Sequence, residues 1–221
     1  MRAIDADAIT ALMPLRCHHP RHLAAALESL FAQTSPSWRL LVVVEPEDLE
    51  PFRSVLADAL RDPRVRLVPN EGGRYPGAFN TGMRAAETEF VAILLGDDMW
   101  APHAVETLRA QIRAHPAVDL FHSGRRVVDG EGRPVGTEYR PRDTVRPEDF
   151  VWRTPVKHLL CWRRRMGLAV GGVDERLTTA QASRSAPRRG RGRTTERGAR
   201  DAIAAAILLQ AFLDSRRSRQ A

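Results

Sequence analysis

Residues 92–100, "AILLGDDMW", begin like a buried β-strand and end in two adjacent aspartates and a tryptophan. The apolar half has the composition of a strand inside a protein core, whereas carboxylates are costly to bury without partners. The stretch therefore predicts a strand that leaves the core near Gly96 and presents Asp97 and Asp98 in the loop that follows.

Outward from this stretch, apolar runs of strand length alternate with longer segments of helical periodicity. Strands are predicted at 9–13, 39–44, 65–69 and 90–95, and helices at 21–33, 51–61, 77–87 and 101–115. The run "RLLVVV" (39–44) is almost wholly apolar, which is typical of a strand covered on both faces. The alternation predicts an α/β fold in which helices flank a mostly parallel central sheet.

The regular alternation ends near residue 117. "DGEG" (129–132) indicates a hairpin, and "HLLCWRR" (158–164) indicates a further strand. From about residue 180 the apolar periodicity is lost and arginine becomes frequent, so a flexible basic tail is expected. We therefore predict a folded domain over 1–183, followed over 184–221 by a basic low-complexity linker and a short apolar helix.

The positive charge of the chain belongs to this tail. The formal net charge is +7, and residues 184–221 contain ten arginines and three acids, so residues 1–183 are neutral overall. A basic groove on the folded domain is not predicted, and no nucleic-acid partner is expected. Binding of nucleic acid by the arginine tail stays open as a lesser alternative.

Composition also indicates the expected location of the protein in the cell and the role of its two cysteines. Apolar residues make up 43% of the chain, no run reaches the length of a bilayer-spanning helix, and acids stand near the N-terminus. A cytoplasmic location is expected, including the inner face of the membrane. Cys17 and Cys161 form neither a disulfide framework nor a metal cluster, and we expect both to be buried thiols.

The predicted strand ends share a polar or glycine-rich character. In open α/β sheets, ligands bind beyond the carboxyl ends of the strands. The four ends read "MPLR" (13–16), "VVVEPED" (42–48), "VPNEGGRYPGAFNTG" (68–82) and "LLGDDMW" (94–100). Acids close the second and fourth ends and a glycine-rich turn closes the third, so these ends are the expected ligand site.

Five blocks of the sequence, in order, resemble the family 2 glycosyltransferases, which have the nucleotide-sugar-binding GT-A (Rossmann-like) fold. The blocks are "TALMPLRCHHP", "ALESLFAQT", "LLVVVEPED", "NEGGRYPGAFNTG" and "ILLGDDMW", and "VGGVDERL" follows later. The resemblance covers roughly residues 8–178. It implies a GT-A fold and transfer of a sugar from a nucleotide-diphosphate donor to an acceptor hydroxyl.

The resemblance implies that Asp97 and Asp98 hold Mg²⁺ or Mn²⁺ on the donor diphosphate, and that Asp97 also lies in the donor site. Mg²⁺ and Mn²⁺ take oxygen ligands, only a few of them from the protein. Leu95 stands where the family usually has the first acid of this motif. The alternative for the two aspartates is a solvated loop before a helix N-terminus, where acids favour the helix dipole.

Three further positions match the part of the family's site that holds the nucleotide base. Glu45 matches the acid that hydrogen-bonds the base, and a carboxylate can accept from a ring N–H. Its alternative is a surface acid in "EPEDLE". Pro14 and Leu15 match the turn whose backbone lies against the base.

The glycine-rich block supplies the remaining donor contacts that the resemblance implies. Gly73, Gly77 and Asn80 match the loop that lets the chain approach the nucleotide closely, where glycine leaves room. Phe79 stands at the family's usual arginine, and Arg74 is the candidate to replace that contact.

The acceptor-activating base of the family has no identifiable counterpart. "VGGVDERL" is intact, but no carboxylate lies between Glu175 and Glu196. Asp174 and Glu175 match the turn rather than the base. Three explanations stay open: a frameshift near residue 178, a divergent protein that binds nucleotide sugar without transferring it, or Glu196 acting as the base.

The leading hypothesis is therefore a metal-assisted glycosyltransferase impaired on its acceptor side, and the alternative is an inactive nucleotide-sugar-binding protein or a truncated remnant. The expected partners are a nucleotide-sugar donor and an unidentified acceptor, with peripheral membrane association left open.

Overall fold

The computed structural model of the chain describes residues 7–141, 145, 156 and 159–173. The strands are β1 (Ile9–Leu15), β2 (Trp38–Val44), β3 (Val65–Pro69), β4 (Phe90–Ile93), β5 (Leu120–His122), β6 (Arg125–Val128), β7 (Pro134–Tyr139) and β8 (Leu160–Arg163). The helices are α1 (Pro20–Phe31), α2 (Leu49–Val55), α3 (Arg74–Ala85), α4 (Ala104–Ala114) and α5 (Arg164–Ala169). Short 3₁₀ turns occupy Pro46–Asp48 and Ala59–Arg61.

A six-stranded sheet in the order β3-β2-β1-β4-β8-β5 forms the centre of the molecule. Strands β1 to β4 are mutually parallel, and β8 runs antiparallel to both of its neighbours. The predicted α/β fold with a mostly parallel sheet is therefore confirmed. Because β4 lies on the opposite side of β1 from β2, the strand order reverses between β1 and β4, where ligands bind in such sheets.

Alternate residues of the parallel strands pack into two apolar layers, which explains why β1 and β2 are apolar almost throughout. One layer joins Ala11, Met13 and other residues of the sheet to α1, α2 and α4. The other joins Leu12 and Leu41 to Phe79 and Met83 of α3. The helices α1, α2 and α4 thus cover one face of the sheet, and α3 covers the other.

Several element boundaries differ from the predicted ones for identifiable reasons. Helix α3 begins at Arg74 rather than 77, because the N–H of Gly77 already donates to the carbonyl of Gly73 at 3.1 Å. Helix α4 begins at Ala104 rather than 101, because the carbonyl of Pro102 accepts from the N–H of Thr34 at 2.9 Å. The helix predicted over 51–61 is divided into α2 and the second 3₁₀ turn.

Strand β8 enters the sheet between β4 and β5, and a buried arginine fixes its end. The guanidinium of Arg163 donates to Asp119 Oδ1 and to the carbonyl of Pro116, each at 2.8 Å. It also pairs with Glu89, which precedes β4. The side chain of Arg163 therefore connects the segments that lead into β4 and β5.

The remaining predictions on this part of the chain have mixed outcomes. The predicted hairpin at 129–132 is confirmed as β6 and β7. Cys161 is buried, and burial raises the pKa of its thiol, but Cys17 is exposed, contrary to expectation, because the chain leaves the core after Leu15. Within the described residues no helix has the length and apolar character to cross a bilayer. The predicted boundary at 183 and the tail lie outside the described residues.

Candidate functional site

The predicted site segments meet at the carboxyl edge of the parallel strands. Leu15 at the end of β1 pairs with Val44 at the end of β2, and Val44 pairs with Pro69 at the end of β3. A Cβ atom placed on Gly96 would lie 2.5 Å from Leu15 Cδ2. The loop after β4 therefore packs directly on the end of β1, at the point where the strand order reverses.

The two predicted metal ligands lie in a tight turn within this loop. The N–H of Asp98 donates to the carbonyl of Leu95 at 3.1 Å, which places Gly96 and Asp97 at the turn's centre. Asp97 is exposed and Asp98 is partly buried. Both residues are thus held at the edge of the sheet, as the strand end in the sequence predicts.

Trp100 anchors the turn to the core. Its indole is buried, and the indole N–H donates to the carbonyl of Ile93, the last residue of β4, at 3.2 Å. Its backbone N–H donates to Ser29 Oγ on α1 at 3.1 Å. The segment between Ile93 and Trp100 is therefore closed into a loop that carries both aspartates.

The chemistry of the donor set fits Mg²⁺ or Mn²⁺. Both ions accept carboxylate oxygens and complete their coordination with water and substrate phosphate. No group of three potential ligands from His, Cys, Asp and Glu occurs in the described part of the chain. Asp97 and Asp98 therefore offer carboxylate oxygens of the kind that either ion accepts.

Glu45 follows β2 and is oriented by a residue that the sequence analysis did not single out. Asn70, which directly follows β3, is 5% exposed, and its Nδ2 donates to Glu45 Oε1 at 3.1 Å. The N–H of Asn70 donates to the carbonyl of Val44 at 2.7 Å. Asn70 thus connects the ends of β2 and β3 and fixes the side chain of Glu45.

The same amide organises the glycine-rich loop. Nδ2 of Asn70 also donates to the carbonyl of Arg74 at 3.0 Å. Its Oδ1 accepts from the N–H of Gly72 at 3.0 Å and from the Thr81 hydroxyl at 3.1 Å. The signal for this role was available, because Asn70 opens the block "NEGGRYPGAFNTG" directly after a strand.

Gly73 and Arg74 form the start of α3 and are both exposed at this edge. Gly73 is the N-cap residue of the helix. Arg74 has a φ of 59°, a conformation that is uncommon for residues other than glycine. This backbone bend turns the Arg74 carbonyl toward Asn70, so the predicted donor loop is held in an unusual local conformation.

Gly77 packs against backbone rather than against a side chain. A Cβ atom at this position would lie 2.6 Å from the carbonyl carbon of Gly72 and 2.8 Å from its Cα. Since neither atom can rotate away, only glycine allows the loop to fold back on α3.

We expect Gly77→Ala to lower the free energy of unfolding by about 1–3 kcal/mol, the usual cost of overpacking. Urea denaturation of the full chain measures this change. Gly130→Ala is the matched control, because nothing lies within 4 Å of its added Cβ. Equal stabilities of the two variants would contradict the close packing of Gly72 on Gly77.

Asn80, Pro14 and Leu15 are buried in this structure. Asn80 Nδ2 donates to the carbonyl of Val173 at 2.9 Å, and its Oδ1 accepts from the N–H of Val173 at 2.7 Å. Gly172 lies against this amide with a φ of 75°. Asn80 therefore holds the "VGGV" turn on α3, and Pro14 and Leu15 can offer a ligand their backbone only.

The residues considered above for the acceptor side all lie outside the described part of the chain. They are Asp174, Glu175 and Glu196. The roles assigned above to the donor-side residues stay predictions, although their segments meet at one edge of the sheet.

Comparison with known sequences identifies relatives of the chain. Residues 17–169, more than two thirds of the chain, match the model of Glycosyl transferase family 2. The O-antigen biosynthesis protein RfbC of Myxococcus xanthus is 26% identical over 178 residues, which are 78% of this chain and 14% of that protein. The uncharacterized protein y4gI of Sinorhizobium fredii is 30% identical over 179 residues, 78% of this chain and 19% of that protein.

The name of a third relative states the reaction of that protein. The UDP-Glc:alpha-D-GlcNAc-diphosphoundecaprenol beta-1,3-glucosyltransferase WfgD of Escherichia coli is 30% identical over 105 residues, 47% of this chain and 40% of that protein. The chain spans between 14% and 40% of the length of the curated relatives it matches.

Residues 143–215 match a second family model, that of a Holliday junction resolvase. This match covers about a third of the chain and overlaps the first one. Of its residues, the structure describes only 145, 156 and 159–173. The matched residues that the structure describes include β8 but none of the strand ends β1 to β4 at which the candidate site residues lie.

Solved structures share the fold. S. aureus TarS has a TM-score of 0.56 at 16% identity, over 79% of this chain and 32% of that one. The mannosyltransferase PcManGT from Pyrobaculum calidifontis, in complex with GDP-Man and Mn²⁺, has a TM-score of 0.50 at 22% identity, over 75% and 47%. These similarities confirm the GT-A fold, and the match over residues 17–169 shows that the chain belongs to glycosyl transferase family 2.

Proposed function

We propose that this protein transfers a sugar from a nucleoside-diphosphate sugar to an acceptor hydroxyl. The acceptor oxygen forms a bond to the anomeric carbon and loses its proton, the bond from that carbon to the diphosphate oxygen breaks, and the diphosphate leaves with the electron pair. The observation that carries the proposal is the meeting of the Glu45, Gly73–Gly77 and Asp97–Asp98 segments at one sheet edge in a member of this family.

Asp97 and Asp98 would hold Mg²⁺ or Mn²⁺ at this edge. Such an ion neutralises the negative charge that grows on the departing diphosphate. The turn between Leu95 and Asp98 and the anchor at Trp100 hold the loop that carries both aspartates at the carboxyl edge of the sheet. The exposure of Asp97 leaves room for diphosphate oxygens beside it.

The nucleoside would bind between the ends of β1 and β2 and the glycine-rich loop. Glu45 offers a carboxylate acceptor for a base N–H, and Asn70 restricts its orientation. The backbone of Pro14 and Leu15 would border the base. Arg74 is exposed at the start of α3, where its guanidinium can reach an anionic donor.

The acceptor is proposed to be a hydroxyl of a saccharide. The names of RfbC and WfgD refer to O-antigen biosynthesis and to a lipid-linked sugar acceptor. An acceptor of the second kind would bring the protein to a membrane surface. No base has been assigned to deprotonate this hydroxyl, so a protein that binds the donor without transferring its sugar is the alternative.

The test is calorimetric titration of the full chain with UDP and with GDP, each with Mn²⁺ and with EDTA, followed by assays of the matching nucleotide sugars. We expect binding of one nucleotide to require the ion, and release or transfer of the sugar to accompany it. Binding without any turnover would favour the inactive alternative. Absence of binding by folded protein would overturn the donor site itself.

The match to the Holliday junction resolvase model favours a second candidate, in which the tail binds nucleic acid. Ten arginines in 184–221 would supply contacts to phosphates. This candidate predicts binding of a four-way DNA junction that weakens steeply with salt and disappears when residues 184–221 are deleted. Binding that survives the deletion would contradict it.

A further inference from the structure

The last turn of α1 holds the segment that follows the two aspartates. Ser29 accepts a hydrogen bond from the N–H of Trp100, and its hydroxyl donates to the carbonyl of Ala26 at 2.7 Å. Because Trp100 is two residues beyond Asp98, this contact fixes the exit of the acidic turn. The pair Ser29–Trp100 is thus a direct link between α1 and the proposed ion-binding loop.

Gln33 forms the centre of this link. It is 9% exposed, and its Nε2 donates to the carbonyl of Ser29 at 2.9 Å and to that of Ala101 at 2.8 Å. Its Oε1 accepts from the N–H of Val105 at 3.0 Å. Val105 lies in the first turn of α4, where backbone N–H groups have no partner within the helix. One side chain therefore joins α1, the loop after the aspartates and the start of α4.

Thr34 continues the same line of contacts. Its N–H donates to the carbonyl of Pro102 at 2.9 Å, and its hydroxyl donates to Glu106 Oε2 at 2.9 Å. The bond from Thr34, with a second from His103, holds the pKa of Glu106 below its ordinary value. The end of α1 thus binds the chain from Trp100 to Glu106 at successive positions.

We infer that Gln33 is a positioning residue for Asp97 and Asp98, an inference whose catalytic meaning rests on the proposed function. The side-chain hydrogen bonds of Gln33 described above go to Ser29, Ala101 and Val105 and not to the aspartates themselves. Gln33 acts by fixing Ala101 and Val105, the residues that follow Trp100. With these residues held, the turn between Leu95 and Trp100 is anchored at both ends. Releasing it widens the range of positions of the two carboxylates and weakens their hold on an ion, without changing the nucleoside side of the site.

The test compares Gln33→Met, which keeps a long side chain but removes its hydrogen bonds, with Thr88→Val. Thr88 is a suitable control because its buried hydroxyl bonds Thr10 and Phe90 at the opposite end of the sheet. We expect Gln33→Met to weaken Mn²⁺-dependent nucleotide binding by up to about tenfold, the lower end of the cost of losing a direct partner of a metal ligand, because Gln33 acts on the loop and not on the ligands themselves. The affinity for nucleotide in EDTA should be unchanged. Ser29→Ala is the milder second variant, with a smaller loss in the same direction.

Amide hydrogen exchange without ligand provides an independent readout. We expect the amides of Trp100 and Val105 to exchange faster in Gln33→Met, with those of β1 and β2 unchanged, and Thr88→Val to leave both near wild type. Equal exchange at Trp100 and Val105 in wild type and Gln33→Met, or an equal loss of ion dependence in Thr88→Val, would overturn the inference.

The two readouts separate two kinds of failure. A wild-type chain that binds no nucleotide with Mn²⁺ contradicts the proposed function and removes the catalytic meaning of Gln33. Faster exchange in Gln33→Met would still support its part in fixing the loop. Normal ion-dependent binding by both Gln33→Met and Ser29→Ala contradicts the positioning role and leaves the proposed function intact.

Discussion

Asp98→Ala is expected to abolish the ion dependence of donor binding while the protein stays folded. Asp98 lies in the turn that closes on Leu95, with its side chain only partly buried, so its removal leaves no large cavity. Loss of an outer partner of a metal ligand costs up to about 100-fold in affinity, and loss of a ligand should cost at least as much. Titration of nucleotide against Mn²⁺ concentration measures the effect.

Asp58→Ala is the matched control for this experiment. Asp58 is an exposed acid that pairs with Arg61 before β3, away from the carboxyl edge. The Asp58→Ala substitution removes the same charge from the surface and should leave ion-dependent binding unchanged. If both variants lost binding equally, a general effect of surface charge would replace the assigned site.

Asn70→Asp is expected to have the largest effect on stability. The substitution removes both donations from Nδ2 and sets a second carboxylate beside Glu45. Loss of two hydrogen bonds from a buried side chain, together with like-charge repulsion, should lower the free energy of unfolding by roughly 2–4 kcal/mol at neutral pH. Urea denaturation with the full chain measures it.

The dependence of this loss on pH distinguishes repulsion from lost hydrogen bonds. Protonation of one carboxyl of the pair removes the repulsion, so the folded Asn70→Asp variant binds more protons than its unfolded chain in mildly acidic solution. Its stability relative to wild type should therefore improve as the pH falls from 7 toward 5. Asn70→Ala should show a deficit that does not change over this range. Parallel behaviour of both variants would contradict the contact with Glu45.

The parallel half of the sheet and the meeting of the candidate segments at its carboxyl edge were predictable from local patterns. The apolar runs of β1 and β2 indicate which residues are buried in the sheet. The two aspartates after β4 indicate where the chain leaves the core. The ends of parallel strands share one edge, so the grouping of Glu45 with Asp97 also follows from the chain order. Such inferences need only local composition and the rule for open sheets.

The supporting contacts were not predictable in the same way. Gln33 bonds a carbonyl 68 residues away, and Asn80 bonds a turn 93 residues away. The sequence marks such residues only as polar positions in a helix, which is equally typical of a solvated face. The burial of Asn80 likewise depends on a turn far along the chain, and nothing local distinguishes it from an exposed ligand-binding amide.

The antiparallel strand β8 has a consequence for the order in which the protein can fold during synthesis. Within the described sheet, β5 is connected to β4 only through β8, which is about forty residues later in the chain than β5. A nascent chain that has emerged as far as the β6–β7 hairpin therefore has an open edge on β4 and a strand β5 without its neighbour. Open edges template association with other chains. Completion of the sheet thus waits for residues 160–163, and Arg163 then secures both edges in one step by binding Glu89 and Asp119.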